Sequence, residues 1–330
     1  MSDNPNGGRS SSRVAAGFFS SASSFSLPVG GHIVTGKVGG YYIDMRVKAS
    51  EPCWPPAMWP GGERKLYVAV AQWGLGAYER YMAGEGEDWL HAVCACADEL
   101  VETQEQDGPL KGGWVHKRPF VHTFPLKPPW LSGMAQGEAA SLLVRVFLET
   151  GVERYAEAAR RALLPLALDV VDGGVRALLG GRSFPEEYPT VPSSFVLNGG
   201  MFAMWGLYDV GVGLGDPDVL GAFHEAVDTL AENLHRWDLG YWSRYDLFPH
   251  PVPNVASSFY HNLHVKQLQI TNRLAPRSQL AETVARWADY ETSPPHRYRA
   301  FAGKALFRMV VPRNRVLARR LPWSPMRGWA

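Results

Sequence analysis

Two glutamates and a tyrosine stand together in a stretch of chain that cannot be helical. Glu186, Glu187 and Tyr188 lie between prolines at positions 185, 189 and 192. Proline lacks a backbone donor and restricts the residue before it, so this loop is stiff. Stiffness matters where side chains must be held for chemistry, and carboxyl and phenol groups held in this way can exchange protons. An acidic pair on a solvated loop is the common alternative.

The loop and three further segments resemble the sequence motifs of a known enzyme family, in the same order along the chain. Residues 186–199 closely resemble the signature of the D-glucuronyl C5-epimerase family. Residues 134–139 (Met-Ala-Gln-Gly-Glu-Ala), 206–209 (Gly-Leu-Tyr-Asp) and 260–269 (Tyr-His-x-x-His-x-x-Gln-Leu-Gln) agree with it in order and spacing. The resemblance covers about half of the chain. It implies an α/α-barrel catalytic domain that epimerises glucuronate to iduronate within heparan-type polysaccharides, without nicotinamide.

The resemblance assigns catalytic roles to four residues: Glu187, Tyr188, Tyr245 and Tyr260. One position departs from the family pattern. The family's Tyr-Asp-Leu-Arg segment matches residues 245–247, but Phe248 replaces the arginine. That arginine is expected to help hold the substrate, so its absence bears on polymer specificity. Arg244 and Arg236 are candidates to replace it.

The chemistry of inversion at C5 of a uronate, apart from any resemblance, requires particular groups in the site. Removing the proton beside a carboxylate creates a doubly charged enolate unless that carboxylate is neutralised. The site must offer a cation or protonated donor there and an acid or base on each face. A tyrosine can serve if nearby positive charge lowers its pKa from about 10. A protonated Glu187 could donate to the carboxylate or relay a proton. Without the resemblance, each tyrosine is more simply a packing residue.

Seven further residues are candidates for binding the substrate: Gln136, Asn198, His261, His264, Arg244, Lys117 and Arg118. His264 follows Tyr260 by one helical turn and could support that ring or point into the core. Lys117 and Arg118 belong to a basic, aromatic-flanked loop suited to an anionic sugar chain, and a solvated basic loop fits nearly as well. Cys94 and Cys96 are two apart on a predicted helix and cannot face one ligand, so no metal site is predicted. No cofactor is expected.

Apolar periodicity predicts a mainly α protein built from helical hairpins. The predicted pairs are 64–83 with 87–106, 134–150 with 153–171, 196–213 with 217–235, and 262–274 with 277–291. Asp216 and Pro217 mark a helix start, Gly151 marks an end, and Ser193 or Ser194 is the expected N-cap of the helix after the acidic loop. About four hairpins favour an α/α barrel or toroid, although a plain bundle fits the same periodicity.

The connections between the hairpins are long and aromatic. They span 107–133, 172–195 and 236–260, well beyond the usual four to six residues. They hold more than a third of the 12 Trp, 13 Tyr and 14 Phe residues. Because solvated loops are poor in such rings, we predict that the three connections line one carbohydrate-binding cleft.

The remaining segments predict the domain organisation, and the overall charge limits the kinds of partner. Residues 1–30 are Ser/Gly-rich and predict a flexible arm, 31–60 predict two short strands and a Pro-rich linker, 61–291 form the catalytic domain, and 292–330 form a basic tail. The net charge of +1 argues against nucleic acid as the main partner. An anionic glucuronate polymer is compatible with it, and a homodimer is possible. Without a clear signal peptide or apolar span, cytoplasmic residence is the default expectation.

Three functions are compatible with these residues. The leading hypothesis is a cofactor-free uronate C5-epimerase acting on a heparosan-like polysaccharide. The second is a polysaccharide lyase or glycoside hydrolase on the same barrel, with Glu187 or Asp246 as acid and Tyr260 as base. The third is a glycan-binding protein that kept the cleft and lost the chemistry.

Overall fold

The computed structural model describes residues 26–56 and 66–312, and these ranges are mainly helical. Their α-helices are α1 (Tyr67–Met82), α2 (Asp88–Thr103), α3 (Gly133–Thr150), α4 (Glu153–Ala162), α5 (Leu164–Ala167), α6 (Leu197–Gly213), α7 (Pro217–Asn233), α8 (Ser258–Leu274), α9 (Ser278–Thr292) and α10 (Pro294–Val310). The mainly α class predicted from periodicity is confirmed.

The four predicted helical hairpins are present as α1–α2, α3–α4, α6–α7 and α8–α9. The Asp216 side chain accepts hydrogen bonds from the first turn of α7, and Gly151 ends α3 with a φ of +69°. The prediction of one helix over 153–171 was wrong, because the helix breaks after Ala162 and α5 begins again around Pro165. Proline cannot supply the backbone donor that a continuous helix needs there.

The hairpins pack in two layers. Helices α1, α3, α6 and α8 contact one another in that order, and α2, α4, α7 and α9 each pack on their hairpin partner. Helices α3 and α6 approach closely because glycines face each other: a Cβ atom on Gly206 would lie 2.5 Å from Gly137 Cα. This order is the one an open α/α toroid would have, and closure into a barrel stays a prediction.

A small β element exists, but not where the sequence predicted it. Its strands form two antiparallel hairpins, β1 (Phe120–Val121) with β2 (Pro125–Leu126) and β3 (Arg176–Leu179) with β4 (Arg182–Pro185). Gly180 and Gly181, both with positive φ, make the tight β3–β4 turn. Between residues 31 and 56 the described backbone has only a single bridge, from Ile43 to Val29. The aromatic residues of that segment are buried against helices instead of pairing in a sheet.

A buried ion pair anchors this N-terminal segment to the helical layers. Arg145 Nη1 lies 2.7 Å from Asp209 Oδ2, and both side chains are buried. Tyr42 donates its hydroxyl hydrogen to Asp209 Oδ1 at 2.6 Å, and Arg145 also donates to the carbonyls of Gly39 and Gly40. The network joins α3, α6 and residues 39–42. Each of its charged groups has partners, which offsets the cost of burying the charges.

The ends of the described chain differ from the predicted arm and tail. Residues 26–30 were expected in a flexible arm, but Lys266 Nζ donates to Ser26 Oγ and to the Leu27 carbonyl. Residues 294–310, within the predicted basic tail, form the helix α10, and Pro294 at its first position is preorganised for a helix. The rest of the predicted arm (residues 1–25), residues 57–65, which include the end of the predicted Pro-rich segment, and residues 313–330 lie outside the described residues. Along the ranges 26–56 and 66–312, no helix is long and apolar enough to cross a membrane.

Candidate active site

The acidic loop, residues 185–192, is held in place by one of its two glutamates. Glu186 is fully buried; its Oε2 lies 2.7 Å from Ser194 Oγ and accepts the Phe195 backbone N–H at 2.9 Å. Phe195 has a φ of +44°, an uncommon value outside glycine, so this bond stabilises an otherwise unfavourable turn. The prediction that Ser193 or Ser194 is the N-cap of this helix was therefore wrong. The N-cap is Val196, and α6 begins at Leu197.

Glu187 is the glutamate that remains available for chemistry. Its side chain is buried, and its Oε2 atom has no hydrogen-bond partner among the described residues. The first turn of α6 packs on it so closely that a Cβ atom on Gly199 would collide with Oε2. Burial, reinforced by the charge of Glu186, raises the pKa of Glu187 to about 8, against a lowering by the Tyr188 hydroxyl. This carboxyl is therefore largely protonated at neutral pH.

A second buried carboxyl, Glu138 on α3, lies near Glu187. Gln72 Nε2 donates to Glu138 Oε1 at 3.1 Å, and Oε2 is unbonded within the described ranges. Burial raises the pKa of Glu138 well above its ordinary value, and the charge of Glu187 adds to the rise. Glu138 lies within the motif at residues 134–139, but it was not among the predicted site residues.

All four predicted catalytic residues converge, although they come from three separate segments of the chain. The Tyr245 and Tyr260 rings meet edge to face with centroids 4.8 Å apart. Tyr188 interacts electrostatically with Glu187 and with Tyr260, and Tyr245 interacts with all three of the other residues. The first turn of α8, capped by Ser257, presents Tyr260.

The β1–β2 hairpin covers Tyr188 with aromatic rings. Phe120 and His122 stack on the Tyr188 ring at centroid distances of 5.5 and 5.4 Å, and Phe124 packs at 5.5 Å. His122 also stacks on Tyr245 at 5.7 Å. Rings from all three long connections thus meet in one cluster, in which His122 lies between two predicted catalytic tyrosines. That the connections line a carbohydrate-binding cleft stays a prediction.

The condition stated for a catalytic tyrosine, a pKa lowered by nearby positive charge, is not met at Tyr188 or Tyr245. Burial raises the pKa of Tyr188 and of Tyr245 well above 10, and the charge of Glu187 raises both further. An anionic phenolate is disfavoured in a buried place beside an acid. Tyr188 and Tyr245 are therefore proton donors at neutral pH.

A polar chain connects Tyr245 to α10. Asn254 Nδ2 donates to Asp246 Oδ2 at 2.6 Å, and Asn254 Oδ1 accepts from Lys304 Nζ at 2.9 Å. The Lys304 ammonium group lies 5.9 Å from the centre of the Tyr245 ring. His250 lies on the other side of Asp246, 3.5 Å from Oδ1. No sequence motif pointed to Asn254 or Lys304.

Two of the predicted substrate-binding residues are fully occupied by the protein itself. Gln136 accepts from Trp114 N and donates to the carbonyls of Gly112 and Ala162. His261 Nδ1 accepts from Ser243 N, Nε2 lies 3.1 Å from the Trp287 carbonyl, and the ring stacks on Trp242 at 3.8 Å. Burial lowers the pKa of His261 to about 4, so the ring is neutral. The side-chain nitrogen and oxygen atoms of both residues are thus engaged by other parts of the protein.

The other predicted binding residues are placed differently. Asn198 Oδ1 and His264 Nε2 are buried, and each lacks a partner within the described chain. Arg244 is half-buried near Arg236 and Asp246. Lys117 and Arg118 are exposed, and they lie three and two residues before the hairpin that covers Tyr188. Within the described ranges, no group of three or more His, Cys, Asp and Glu side chains is placed to hold a metal ion.

The fold and the site together define a mainly α-helical protein with a buried acid–base cluster at the end of its hairpins. Comparison with known families identifies the class: the D-glucuronyl C5-epimerase C-terminus family matches residues 108–289. Because this match covers more than half of the chain, the chain belongs to that family.

Two curated relatives are similar to part of the chain. A D-glucuronyl C5-epimerase from Caenorhabditis elegans is 34% identical over 222 residues, which cover 62% of this chain and 35% of the relative. An uncharacterized protein from Methanocaldococcus jannaschii is 28% identical over 148 residues, which cover 43% of this chain and 46% of the relative. In both cases the chain spans less than half of the relative's length.

Proposed function

We propose that this protein is a uronate C5-epimerase that converts D-glucuronate to L-iduronate residues within a heparosan-like polysaccharide. The observation that carries the proposal is the convergence of Glu187, Tyr188, Tyr245 and Tyr260 in one buried cluster. A site of this kind has proton donors and acceptors but excludes bulk water, which suits reversible proton transfer at carbon.

In this proposal Glu187 supplies the base. A carboxyl with a pKa of about 8 is a stronger base than an ordinary glutamate and is still partly ionised near neutral pH. Tyr188 adjoins it and relays the proton: the phenol gives its proton to Glu187 and takes the C5 proton. The C5–H electron pair moves into the adjoining carboxylate, giving an enolate. A tyrosine with a raised pKa is suited to such a relay because it does not stay ionised.

Tyr245 and Tyr260 supply the proton on the opposite face. One of these phenols donates to C5 of the enolate, which restores the C–H bond with inverted configuration and leaves a phenolate. The enzyme then holds one extra proton at Glu187 and one fewer at the tyrosine. Exchange through solvent returns both groups to their starting state, so no cofactor is consumed.

An anionic, glucuronate-containing polysaccharide is the proposed partner. Lys117 and Arg118 are exposed beside the hairpin that covers Tyr188, where they can meet the acidic polymer as it enters. Asn198 and His264 carry buried atoms without partners in the described chain, and we propose that they bind sugar hydroxyl groups. Gln136 and His261 hold the surrounding segments in place. A homodimer stays a prediction.

Hydrogen–deuterium exchange tests the proposal directly. The protein is incubated with heparosan in deuterated water, uronate H5 is followed by NMR, and chain length is measured in parallel. The proposal expects deuterium at C5, new iduronate signals and an unchanged chain length, with Glu187→Gln as the inactive control. Unsaturated ends would identify a lyase, and new reducing ends a hydrolase. Binding without exchange would leave a glycan-binding protein.

A further inference from the structure

Two buried histidines and a serine between them form a hydrogen-bonded chain. Ser243 Oγ lies 2.8 Å from His261 Nδ1 and 2.9 Å from His264 Nδ1, and all three side chains are fully buried. His264 follows Tyr260 by one turn of α8, so the chain includes the helix that presents this tyrosine. The contacts of the three residues determine where each hydrogen of the chain lies.

His261 carries its ring hydrogen on Nε2. Its Nδ1 atom accepts the backbone N–H of Ser243 at 3.1 Å, and an accepting nitrogen carries no hydrogen. Its Nε2 atom lies 3.1 Å from the Trp287 carbonyl oxygen, which can only accept. Burial lowers the pKa of His261 to about 4, so the ring is neutral and has a single N–H hydrogen. Both contacts therefore assign that hydrogen to Nε2.

His261 in turn determines the hydrogens of Ser243 and His264. Because His261 Nδ1 has no hydrogen, the Ser243 hydroxyl donates its hydrogen to that atom. The serine oxygen then accepts from His264, so the ring hydrogen of His264 is on Nδ1. Burial is the main reason that the pKa of His264 lies well below 6.5, and this ring is also neutral. His264 Nε2 is left as an acceptor, and it has no hydrogen-bond partner among the described residues.

Two further acceptors lie in the same part of the fold. Gln267 is three residues beyond His264 on the same side of α8, and its Nε2 donates to the Asn198 carbonyl at 3.0 Å. That bond orients the amide, so Gln267 Oε1 is a buried acceptor without a partner in the described chain, as is Asn198 Oδ1. Asn198 precedes Gly199, which packs on Glu187. The acceptors are therefore adjacent in sequence and structure to elements of the catalytic cluster.

A group of buried acceptors limits what kind of ligand it can bind. A buried acceptor without a partner costs free energy, and a ligand that donates a hydrogen bond removes that cost. The hydroxyl groups of a sugar donate, whereas an ionised carboxylate only accepts. If the hydrogen of His264 were on Nε2, this atom would suit a carboxylate instead. The position of one hydrogen thus decides which part of a uronate can bind here.

We propose that Ser243 is a positioning residue that holds His264 Nε2 as a hydrogen-bond acceptor for a hydroxyl group of the uronate substrate. The inference rests on the proposed epimerase function and extends it, since it assigns hydroxyl groups, and not the carboxylate, to this part of α8. Ser243 acts through His264: its hydroxyl is oriented by His261, and its oxygen keeps the hydrogen of His264 on Nδ1.

Nuclear magnetic resonance tests the hydrogen-bonded chain without any substrate. In protein labelled with ¹⁵N-histidine, long-range ¹H–¹⁵N correlations show which ring nitrogen carries the hydrogen, and His264→Asn assigns the signals by their loss. The wild type is expected to have the His264 hydrogen on Nδ1. In Ser243→Ala it should move at least partly to Nε2, whereas Ser243→Thr, which keeps a hydroxyl group, should retain it on Nδ1. A wild-type His264 with its hydrogen on Nε2 would overturn the inference.

Binding measurements test what the acceptor does. Calorimetry compares a heparosan octasaccharide with the same octasaccharide whose carboxylates have been reduced to alcohols. Ser243→Ala should weaken the binding of both ligands by about 5- to 10-fold, the size of one hydrogen bond, and Ser243→Thr should restore it. Ser141→Ala removes another fully buried hydroxyl group, on α3, and is the matched control that should bind both ligands like the wild type. Thermal unfolding checks that each variant is folded.

The remaining outcomes overturn one proposal or both. If Ser243→Ala moves the hydrogen of His264 but binds heparosan like the wild type, the inference is wrong while the epimerase function stands. A loss confined to the ligand with carboxylates would show that His264 meets the carboxylate. If Ser243→Thr keeps the hydrogen on Nδ1 but loses affinity as Ser243→Ala does, Ser243 acts through packing and the inference is wrong. If the wild type neither binds heparosan nor exchanges C5 hydrogen, both proposals fail, whatever the spectra show.

Discussion

The Tyr245 and Tyr260 rings meet edge to face, with centroids 4.8 Å apart and an interplanar angle of 66°. Tyr245 lies in the connection after α7, whereas Tyr260 lies in the first turn of α8. Edge-to-face contact fixes both rings, so each hydroxyl has a defined position relative to the Glu187–Tyr188 pair. In the proposed mechanism, the two pairs act on the two faces of C5.

Tyr260→Phe should lower the rate of C5 exchange at least about 100-fold, the usual effect of removing a proton-transfer group. The ring packing is retained, so the thermal unfolding temperature should stay close to that of the wild type. Exchange is measured by NMR in deuterated water. Tyr298→Phe, at an exposed position on α10, is the matched control and should exchange at the wild-type rate. Unchanged exchange in Tyr260→Phe would remove this hydroxyl from the mechanism.

The exchange rate should rise with pH and level off near pH 8. The base must be ionised to accept the proton, and burial raises the pKa of Glu187 to about 8. Below that pH the rate should change roughly tenfold per pH unit, as expected for a single ionisation. The profile is measured as kcat/KM between pH 5 and 9. A rate that is level from pH 5 to 8 would contradict the role of Glu187 as base.

The same carboxyl should lower the stability of the fold as the pH rises from about 4.5 to 8. Its folded pKa of about 8 is above the ordinary value of 4.5, so the folded state holds a proton that the unfolded state has lost. Its contribution is complete below about pH 4.5 and is lost as the pH rises to 8, by up to about 1.4 kcal/mol per pH unit. Urea unfolding should show Glu187→Gln gaining stability relative to the wild type from pH 5 to pH 8. A difference that is constant with pH would show that Glu187 is ionised in the folded protein.

Gly199→Ala should disable the site by displacing Glu187. A Cβ atom at position 199 would overlap the Glu187 side chain, so either the carboxyl or the first turn of α6 must move. Overpacking of this kind costs about 1–3 kcal/mol, and exchange should fall as well. The control is Gly221→Ala on α7, where a Cβ atom would meet nothing within 4 Å. That variant should gain about 0.5–1 kcal/mol in urea unfolding, because alanine favours the helix.

Asp209→Ala should destabilise the whole protein by about 3–5 kcal/mol, because it leaves the buried Arg145 charge without its partner. The Tyr42 hydroxyl loses its acceptor in the same variant. Urea unfolding measures the loss. Asp228→Ala, which breaks the more exposed pair with Arg277, is the comparison and should cost no more than about 1 kcal/mol. Equal losses in the two variants would contradict the anchoring role of the buried pair.

Local patterns in the sequence determine the helical hairpins and the stiff acidic loop. The repeat of apolar residues places the helices to within a few residues, and prolines exclude helix around Glu187 and Tyr188. These features depend on neighbours in the chain, so they can be predicted without tertiary contacts. The family resemblance added Tyr245 and Tyr260 to the predicted catalytic residues, and their rings are in contact in the structure.

Only the tertiary structure decides which side chain is free to act. Ser194 and Phe195 engage Glu186, which leaves Glu187 available. The resemblance singled out Glu187, but the residue types alone give no physical reason to prefer it to Glu186. Burial raises the pKa of Tyr188 and Tyr245, and the residue type alone does not indicate the direction of that shift. Helix α10 carries Lys304 to Tyr245 across a separation of 59 residues. Burial, charge environment and contacts between distant segments arise only when the helices pack, because they depend on neighbours in space rather than along the chain.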